Sequence, residues 1–236
     1  MKPKLLSVII PVYNEQKQIK DTLKKIKKYL NKKNINYELI IVDDGSRDGT
    51  YNILERVKGI NLLKNTLNKG KGYSVKKGIL NSRGDYALFT DADLSTPINE
   101  LDKFLKYISD YDIVIGSRNM LTSKLVRKQP LWRVLPGKAF SIISRVIIPN
   151  IKDTQCGFKL FNMKKCRTIF EKQTINGFCF DVELLNIARK HNLKIKELGV
   201  RWVNSPESKV SLIKDSFLMF FNLMKIKIND LRGLYD

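Results

Sequence analysis

Residues 38–46 read Glu38-Leu39-Ile40-Ile41-Val42-Asp43-Asp44-Gly45-Ser46. An unbroken apolar run from Leu39 to Val42 ends in two carboxylates and an Asp-Gly turn. A run this short, apolar on both faces and rich in β-branched residues, fits a buried strand of a parallel sheet. The same arrangement recurs along the first half. Leu6 to Val12 leads into Asn14-Glu15, Tyr86 to Thr90 into Asp91, and Asp112 to Gly116 into Ser117-Arg118. A further short strand is expected over 60–63. Between these runs lie segments of helical period. Ile19, Leu23, Ile26 and Leu30 mark one, and Ile98, Leu101, Leu105 and Ile108 another. Shorter helices are expected at 51–57 and 73–80. Thr96 reads as a cap, with Pro97 at the first helical position. This βαβα order predicts an α/β fold, a mostly parallel, doubly wound sheet covered by helices on both faces. Such sheets bind ligands beyond the carboxyl ends of their strands, where the polar clusters fall.

Past Arg118 the pattern changes. A basic, irregular stretch carries Lys124, Arg127, Lys128 and Arg133, and an apolar helix is expected near 140–148. The loop Asp153-Thr154-Gln155-Cys156-Gly157-Phe158-Lys159 precedes two more helices. Residues 195–203 read as one strand with Leu198, Val200 and Trp202 on a single face. A Phe-rich tail, 212–228, interleaves apolar residues with Lys214, Lys225 and Lys227. No linker or repeat separates the halves, so one compact domain built from 1–118 and 119–236 is expected.

Lysines and arginines number 44 against 23 aspartates and glutamates, a net charge of +21. That field favours anionic partners: nucleic acid, an anionic membrane surface or phosphorylated substrates. Acidic strand ends and the lack of an aromatic-basic recognition pattern weigh against a nucleic-acid-binding module. The three cysteines form no CxxC pair and are expected as buried thiols in a reducing compartment. The one histidine, His191, sits in the basic end of a helix, leaving no histidine to activate a nucleophile. The amino terminus lacks the pattern of a signal peptide, and no run of 18 uncharged apolar residues exists. The amphipathic tail and basic excess point to a cytoplasmic protein, peripheral to the membrane.

Asp91-Ala92-Asp93 ends a strand, and alternation in an extended chain puts its two carboxylates on one side. Two hard oxygen ligands suit Mg²⁺ or Mn²⁺ held jointly with a phosphate-bearing substrate. Nucleotidyltransferases also use paired aspartates on an α/β sheet; they release pyrophosphate, which distinguishes them from sugar transfer.

Five motifs taken in order are more specific. They are Pro11-Val12-Tyr13-Asn14-Glu15, Asp43-Asp44-Gly45-Ser46, Asn68-Lys69-Gly70-Lys71-Gly72, Asp91-Ala92-Asp93 and Gly116-Ser117-Arg118. This series resembles the nucleotide-sugar half of the inverting family 2 glycosyltransferases, which have the GT-A fold. Asp153 to Phe161, Phe180-Asp181-Val182-Glu183-Leu184-Leu185 and Glu207-Ser208-Lys209 resemble the polyprenyl-phosphate branch. Within it they are nearer the dolichyl-phosphate β-glucosyltransferases than the mannose synthases. Asn204 to Lys209 keeps the lysine but lacks the Arg and Gly of the corresponding loop in the branch.

The resemblance implies a nucleotide-sugar-binding half, 1–118, and an acceptor-binding half, 119–236. Pro11, Tyr13 and Glu15 would line the base and ribose pocket, and Asp43 would accept from the base. Lys71 and Arg118 would lie near the nucleotide and its phosphates, with Asp91 and Asp93 on the metal. Arg133, Lys159 and Lys209 would meet phosphates, and Asp153 would orient the acceptor or take a proton. UDP-glucose is the implied donor, with GDP-mannose as the alternative. A polyprenyl phosphate is the implied acceptor, with a sugar hydroxyl as the alternative.

Overall fold

A computed structural model describes residues 3–126, 143–203 and 212–236, with side chains from 218 onward in the last segment. The first half contains β1 (Leu6–Val12), α1 (Ile19–Lys32), β2 (Tyr37–Asp43), α2 (Thr50–Glu55), β3 (Asn61–Lys64) and α3 (Lys71–Leu80). It continues with β4 (Tyr86–Thr90), α4 (Leu101–Tyr107) and β5 (Ile113–Ser117). The second half adds β6 (Lys124–Leu125), β7 (Phe158–Asn162), α5 (Met163–Lys172), α6 (Phe180–Lys190), β8 (Ile195–Gly199), β9 (Arg201–Trp202) and α7 (Leu212–Leu231).

Seven strands form one sheet in the order β3-β2-β1-β4-β7-β5-β8, with β6 and β9 as a separate parallel pair. Every pairing in the large sheet is parallel except those of β7, which runs antiparallel to β4 and β5. The second half thus supplies two strands to the sheet of the first, and β7 lies between β4 and β5. Packing follows the apolar runs. One face buries Ile10, Val12, Ile41 and Leu88 beneath α1 and α4. The other buries Ile9, Ile40, Phe89 and Phe161 beneath α3, α5, α6 and α7. Strands apolar on both sides are what a twice-covered sheet requires.

Three local expectations differ from the structure. Pro97 lies outside the helix in extended conformation, followed by a 3-10 turn over Ile98–Glu100 and then α4. The Thr96 hydroxyl lies 3.7 Å from Cys156 Sγ and does not cap a helix end. Residues 195–203 do not make one strand. They change partners at Val200, whose amide donates to Ser117 O and whose carbonyl accepts from the Lys124 amide. The chain therefore leaves the large sheet for the β6–β9 pair. A helical segment occupies 143–147, within the expected 140–148. The cysteines are free and buried, as expected. Among the described residues no helix is long and apolar enough to cross a membrane.

Candidate active site

Several loops meet at the carboxyl edge of the parallel strands. The β1–α1 and β2–α2 loops are tied together by side chains. The Asn14 amide donates to Ser46 Oγ at 2.9 Å, and Asn14 Oδ1 accepts from the Arg47 amide at 2.8 Å. The Glu15 amide donates to Thr50 Oγ1 at 2.7 Å, and the Glu15 carboxylate accepts from Gln18 Nε2. Asn14 adopts a positive φ of 54°, a conformation asparagine tolerates better than most residues. Pro11, Tyr13 and Glu15, all partly buried, lie along this seam, with Pro11 opposite Val42 in the β1–β2 register.

Asp43 and Asp44 are both buried but occupied differently. Asp44 Oδ1 accepts from Asn65 Nδ2 and the Lys69 amide, and Oδ2 from the Gly70 amide at 2.8 Å. Its carboxylate pins the loop entering α3. Among the described residues, Asp43 Oδ1 accepts only a long contact from the Ser46 amide, and Oδ2 has no hydrogen-bond partner. A buried carboxylate oxygen left open is costly, which suits it to accept from a ligand N–H.

The Asp91-Ala92-Asp93 segment is held from three sides. Thr22 Oγ1 on α1 donates to Ala92 O at 2.6 Å, and the Asp91 amide donates to Gly157 O at 3.2 Å. Ser95 gives its amide to Asp93 Oδ1 and its hydroxyl to Asp93 Oδ2. Lys71, at the start of α3, reaches Asp91 Oδ1 at 2.7 Å. Burial and the neighbouring Asp91 charge push the Asp93 carboxyl above its ordinary range. Burial opposes the Lys71 ammonium, but Asp91 and Asp181 more than offset it and keep its pKa raised. Two crowded carboxylates with oxygens at the rim fit a hard divalent cation whose remaining ligands come from phosphate and water.

Arg118, just past β5, is clamped by Asp153. Its Nε donates to Oδ2 at 2.7 Å, a terminal nitrogen to Oδ1 at 2.9 Å and its amide to Oδ2 at 2.8 Å. The Glu197 carboxylate accepts from the Lys152 and Asp153 amides and fixes that loop in turn. Burial would raise the Asp153 carboxyl, but the Arg118 charge and hydrogen bonds dominate and hold it below the usual carboxylate range. Asp153 therefore does not fit the expected role of proton acceptor or acceptor-orienting group. Both oxygens are committed to positioning Arg118.

Lys159 also departs from expectation. It lies on β7 between Phe89 and Ile115 in the sheet register and is 1% exposed. Its Nζ donates to Asp181 Oδ1 and to Cys156 O, both at 2.6 Å. It supports the floor of the site and does not face a phosphate. The Phe89 ring centroid lies 5.8 Å from this ammonium and 5.2 Å from that of Lys71. Asp181, which the motif contained without a role, is the ion-pair partner of Lys159 and adds to the negative charge that favours the Lys71 ammonium. Burial raises its carboxyl although Lys159 opposes the shift. One signal pointed to this pair: a charge inside each of two apolar runs requires a partner. Arg133 and Lys209 lie outside the described residues.

Residues 7–170 match the sequence profile described as Glycosyl transferase family 2. The chain belongs to that family. Over 248 aligned residues this glycosyltransferase is 39% identical to the dolichyl-phosphate beta-glucosyltransferase of Dictyostelium discoideum, spanning 98% of this chain and 76% of that one. Its likeness to the Homo sapiens dolichyl-phosphate beta-glucosyltransferase is 32% over 254 residues, 98% of this chain and 78% of the relative. In fold it is similar to mannosyl-3-phosphoglycerate synthase from Rubrobacter xylanophilus, with a TM-score of 0.70 at 16% identity, covering 97% and 74% of the two chains. It is also similar to glucosyl-3-phosphoglycerate synthase from Mycobacterium tuberculosis, solved with Mn²⁺, UDP-glucose and glycerol 3-phosphate. There the TM-score is 0.67 at 16% identity, over 94% of this glycosyltransferase and 79% of that enzyme.

Proposed function

We propose that this family 2 glycosyltransferase transfers glucose from UDP-glucose to a polyprenyl phosphate, with inversion, at the cytoplasmic face of a membrane. The observation that carries the reading is the joining of Lys71, Asp91, Asp93 and Arg118 at one rim, in a chain 98% of which aligns with a dolichyl-phosphate beta-glucosyltransferase.

Asp43 accepts from the uracil N3–H through its open oxygen, with Pro11, Tyr13 and Glu15 along the base and ribose. Asp91 and Asp93 are the residues that would hold Mg²⁺ or Mn²⁺ beside the donor's diphosphate. The ion, when bound, supplies Lewis-acid stabilisation of the departing nucleoside diphosphate. Lys71, 2.7 Å from Asp91 Oδ1, stands beside the place the same phosphates would take, so the leaving charge would meet an ammonium already in place. Arg118, held rigid by Asp153, presents a planar guanidinium to a phosphate oxygen. Arg133 and Lys209, outside the described residues, enter as phosphate-meeting residues through the sequence resemblance alone.

The chemistry balances without a general base. An acceptor phosphate oxygen bonds to the anomeric carbon, the bond from that carbon to the β-phosphate oxygen breaks, and the electron pair leaves with UDP. The acceptor is anionic near neutral pH, and the committed, acidic Asp153 is not needed as a base. Preorganised charge does the catalysis.

The test is parallel incubation with labelled UDP-glucose and GDP-mannose, with and without dolichyl phosphate. Label entering the lipid from UDP-glucose, with stoichiometric UDP release, is expected. Label reaching only a soluble sugar rejects the acceptor, label from GDP-mannose alone rejects the donor, and pyrophosphate release rejects the reaction class.

A further inference from the structure

Helix α3 begins without a side-chain cap. Gly70 stands at its cap position with φ of 102° and has no side chain to give to the first turn. The open first-turn amides of a helix need an acceptor, which a cap side chain ordinarily supplies to the second or third residue. Here the third residue, Tyr73, donates its amide to Asn176 O at 3.1 Å. Asn176 belongs to the other half of the chain, in the irregular loop 173–177 between α5 and α6. The same loop holds the helix through Gln173, whose Nε2 donates to Gly72 O and to Ile175 O, both at 2.9 Å. Lys71 lies between these ties. A Cβ at Gly70 would come within 2.5 Å of Asn176 O, and one at Gly72 within 2.7 Å of Ile175 O. The glycines that flank Lys71 therefore let the loop lie directly on the helix start.

The loop has no ladder or helix of its own to fix it, and one carboxylate takes that part. Glu183, on α6 and 0% exposed, accepts the Thr174 amide on both oxygens at 3.0 Å. Its Oε1 also accepts the Thr174 hydroxyl at 2.6 Å, and its Oε2 the Ile175 amide at 2.8 Å. The Tyr235 hydroxyl donates to Oε1 from outside the loop. A carboxylate buried this deeply needs donors, but a purely structural one has no reason to draw them from consecutive amides of a loop. Hydrogen bonds to a carboxylate are short and strong, and two on adjacent amides fix the direction of the chain as well as its place. The next residue is Asn176, whose carbonyl caps α3.

A displacement of the loop passes through Asn176 and Gln173 to Lys71, whose ammonium stands 2.7 Å from Asp91 Oδ1. On its other side the same segment is held by Asp44, which accepts from the Lys69 and Gly70 amides. Lys71 is thus set between two carboxylate anchors, one from each half of the chain. We infer that Glu183 is a positioning residue for the reaction: through the loop 173–177 it sets the start of α3 and, with it, the Lys71 ammonium. The half expected to bind the acceptor thereby fixes a cation that serves the donor. The inference rests on the proposed reaction for what Lys71 does, while the mechanical link stands on the hydrogen bonds alone.

The experiment reads the full chain in two ways. Glu183→Gln keeps the shape but replaces one accepting oxygen with an NH₂ group. Both oxygens face backbone N–H groups, so either orientation of the amide turns a donor toward a donor. Gln173→Leu cuts the loop from Gly72 and leaves Glu183 in place, so it carries the test if E183Q does not fold. Tyr235→Phe keeps the loop amides on Glu183 and serves as the stability control. Without substrate, hydrogen exchange read by mass spectrometry should quicken at least about tenfold over 70–75 in E183Q and Q173L, and not in Y235F. With Mn²⁺, UDP-glucose and a polyprenyl phosphate, below the melting temperature of every variant, E183Q and Q173L should lower kcat about tenfold or more and change KM for UDP-glucose less than about threefold. Either substitution added to K71M should cost less than about twofold beyond K71M alone, as expected of residues that act through one group. Y235F should lose stability yet keep kcat within about twofold of the wild type. Wild-type exchange and kcat in folded E183Q and Q173L overturn the inference. So do full, multiplicative losses in the K71M background, or a kcat loss in Y235F as large as that of E183Q, which makes stability and not position the cause. No transfer by the wild type from any nucleotide sugar rejects the proposed reaction, and exchange over 70–75 then decides the link by itself.

Discussion

Gly157 is the residue whose replacement tests the active-site geometry most directly. It precedes β7, and its carbonyl accepts from the Asp91 amide at 3.2 Å, so the two backbones are in contact. A Cβ at Gly157 would lie 1.8 Å from Asp91 Oδ2, 2.3 Å from its Cγ and 2.7 Å from Oδ1. Carbon and oxygen need roughly 3.5 Å, so the carboxylate must move by more than about 1.5 Å. Gly157 is not among the glycines with positive φ, so alanine is allowed by the backbone and the clash is with the side chain alone. The cheapest relief is rotation of Asp91 to another rotamer, which breaks its contact with Lys71 and removes one of the two carboxylates from the rim. The pair is partly exposed, so its loss costs only about 0–1 kcal/mol of stability.

A misplacement of about 1 Å at a reacting centre can cost ~10²-fold in rate, or about 2.7 kcal/mol of transition-state stabilisation. G157A should therefore show kcat for UDP release down by roughly that factor, with a melting temperature within a few degrees of the wild type. G177A is the matched control, because a Cβ there meets nothing nearer than Asn222 Nδ2 at 4.0 Å. A G157A enzyme within about threefold of wild-type kcat, with an unchanged response to Mn²⁺, would refute the placement of Asp91 at the metal.

Asp93→Asn should abolish most transfer and also the rise in melting temperature that Mn²⁺ gives the wild type. Because its carboxyl is raised in the fold, the ionised form costs stability once pH passes the unfolded value, so the metal-free variant should be no less stable at pH 7; a clear loss would contradict the crowding of the two aspartates. Asp153→Asn should lose about 3 kcal/mol at neutral pH, as expected when one partner of a buried ion pair is removed. The Asp153 carboxyl is depressed, so its contribution is present above the unfolded value near ~4 and fades as pH falls through the folded one. Urea melts from pH 7 to 3 should show the wild type and D153N converging in acid, and a constant gap would count against the pair. Tyr235→Phe removes a 2.8 Å hydrogen bond to Glu183 Oε1, the same carboxylate that accepts from the Thr174 and Ile175 amides. A loss of about 1 kcal/mol is expected, read by denaturant midpoint; no change would show the Glu183 cluster to be satisfied without it.

The sheet was legible because a parallel strand covered on both faces is a continuous apolar run, and 39–42, 8–12 and 113–115 have no competing pattern. The rim was legible for a related reason: polar residues that end such runs converge at one edge whatever the loops do. Spacing alone did not separate Asp43 from Asp44, and only the family resemblance singled out Asp43; the physical difference is that Asn65 and Gly70 occupy Asp44. The role of Asp153 was hidden because a charged side chain in a motif carries no mark of its direction, and for Lys159 the apolar neighbours signalled a partner without naming it. Both faces of β7 are buried, so Lys159 takes the face opposite Phe158, and only the structure shows Asp181 waiting there. The break at Val200 was hidden as well, because both partner strands accept the same alternating pattern.

Strand direction shows why the two halves make one site. The parallel strands β1, β2, β4 and β5 all end at the ligand edge, so each contributes the residues at its carboxyl end: Glu15, Asp43, Asp91 and Arg118 in turn. Strand β7 runs the other way, so the residues that precede it lie at that same edge. The loop 153–157 is thereby laid across the ends of β4 and β5, where Gly157 meets Asp91 and Asp153 meets Arg118. A parallel strand in that position would put the loop at the opposite edge of the sheet, leaving Arg118 unclamped and Asp91 open to water. The antiparallel direction also accounts for the glycine. The loop enters the sheet directly over the Asp91 carboxylate, and a residue without a side chain is the one that lets the two backbones touch there.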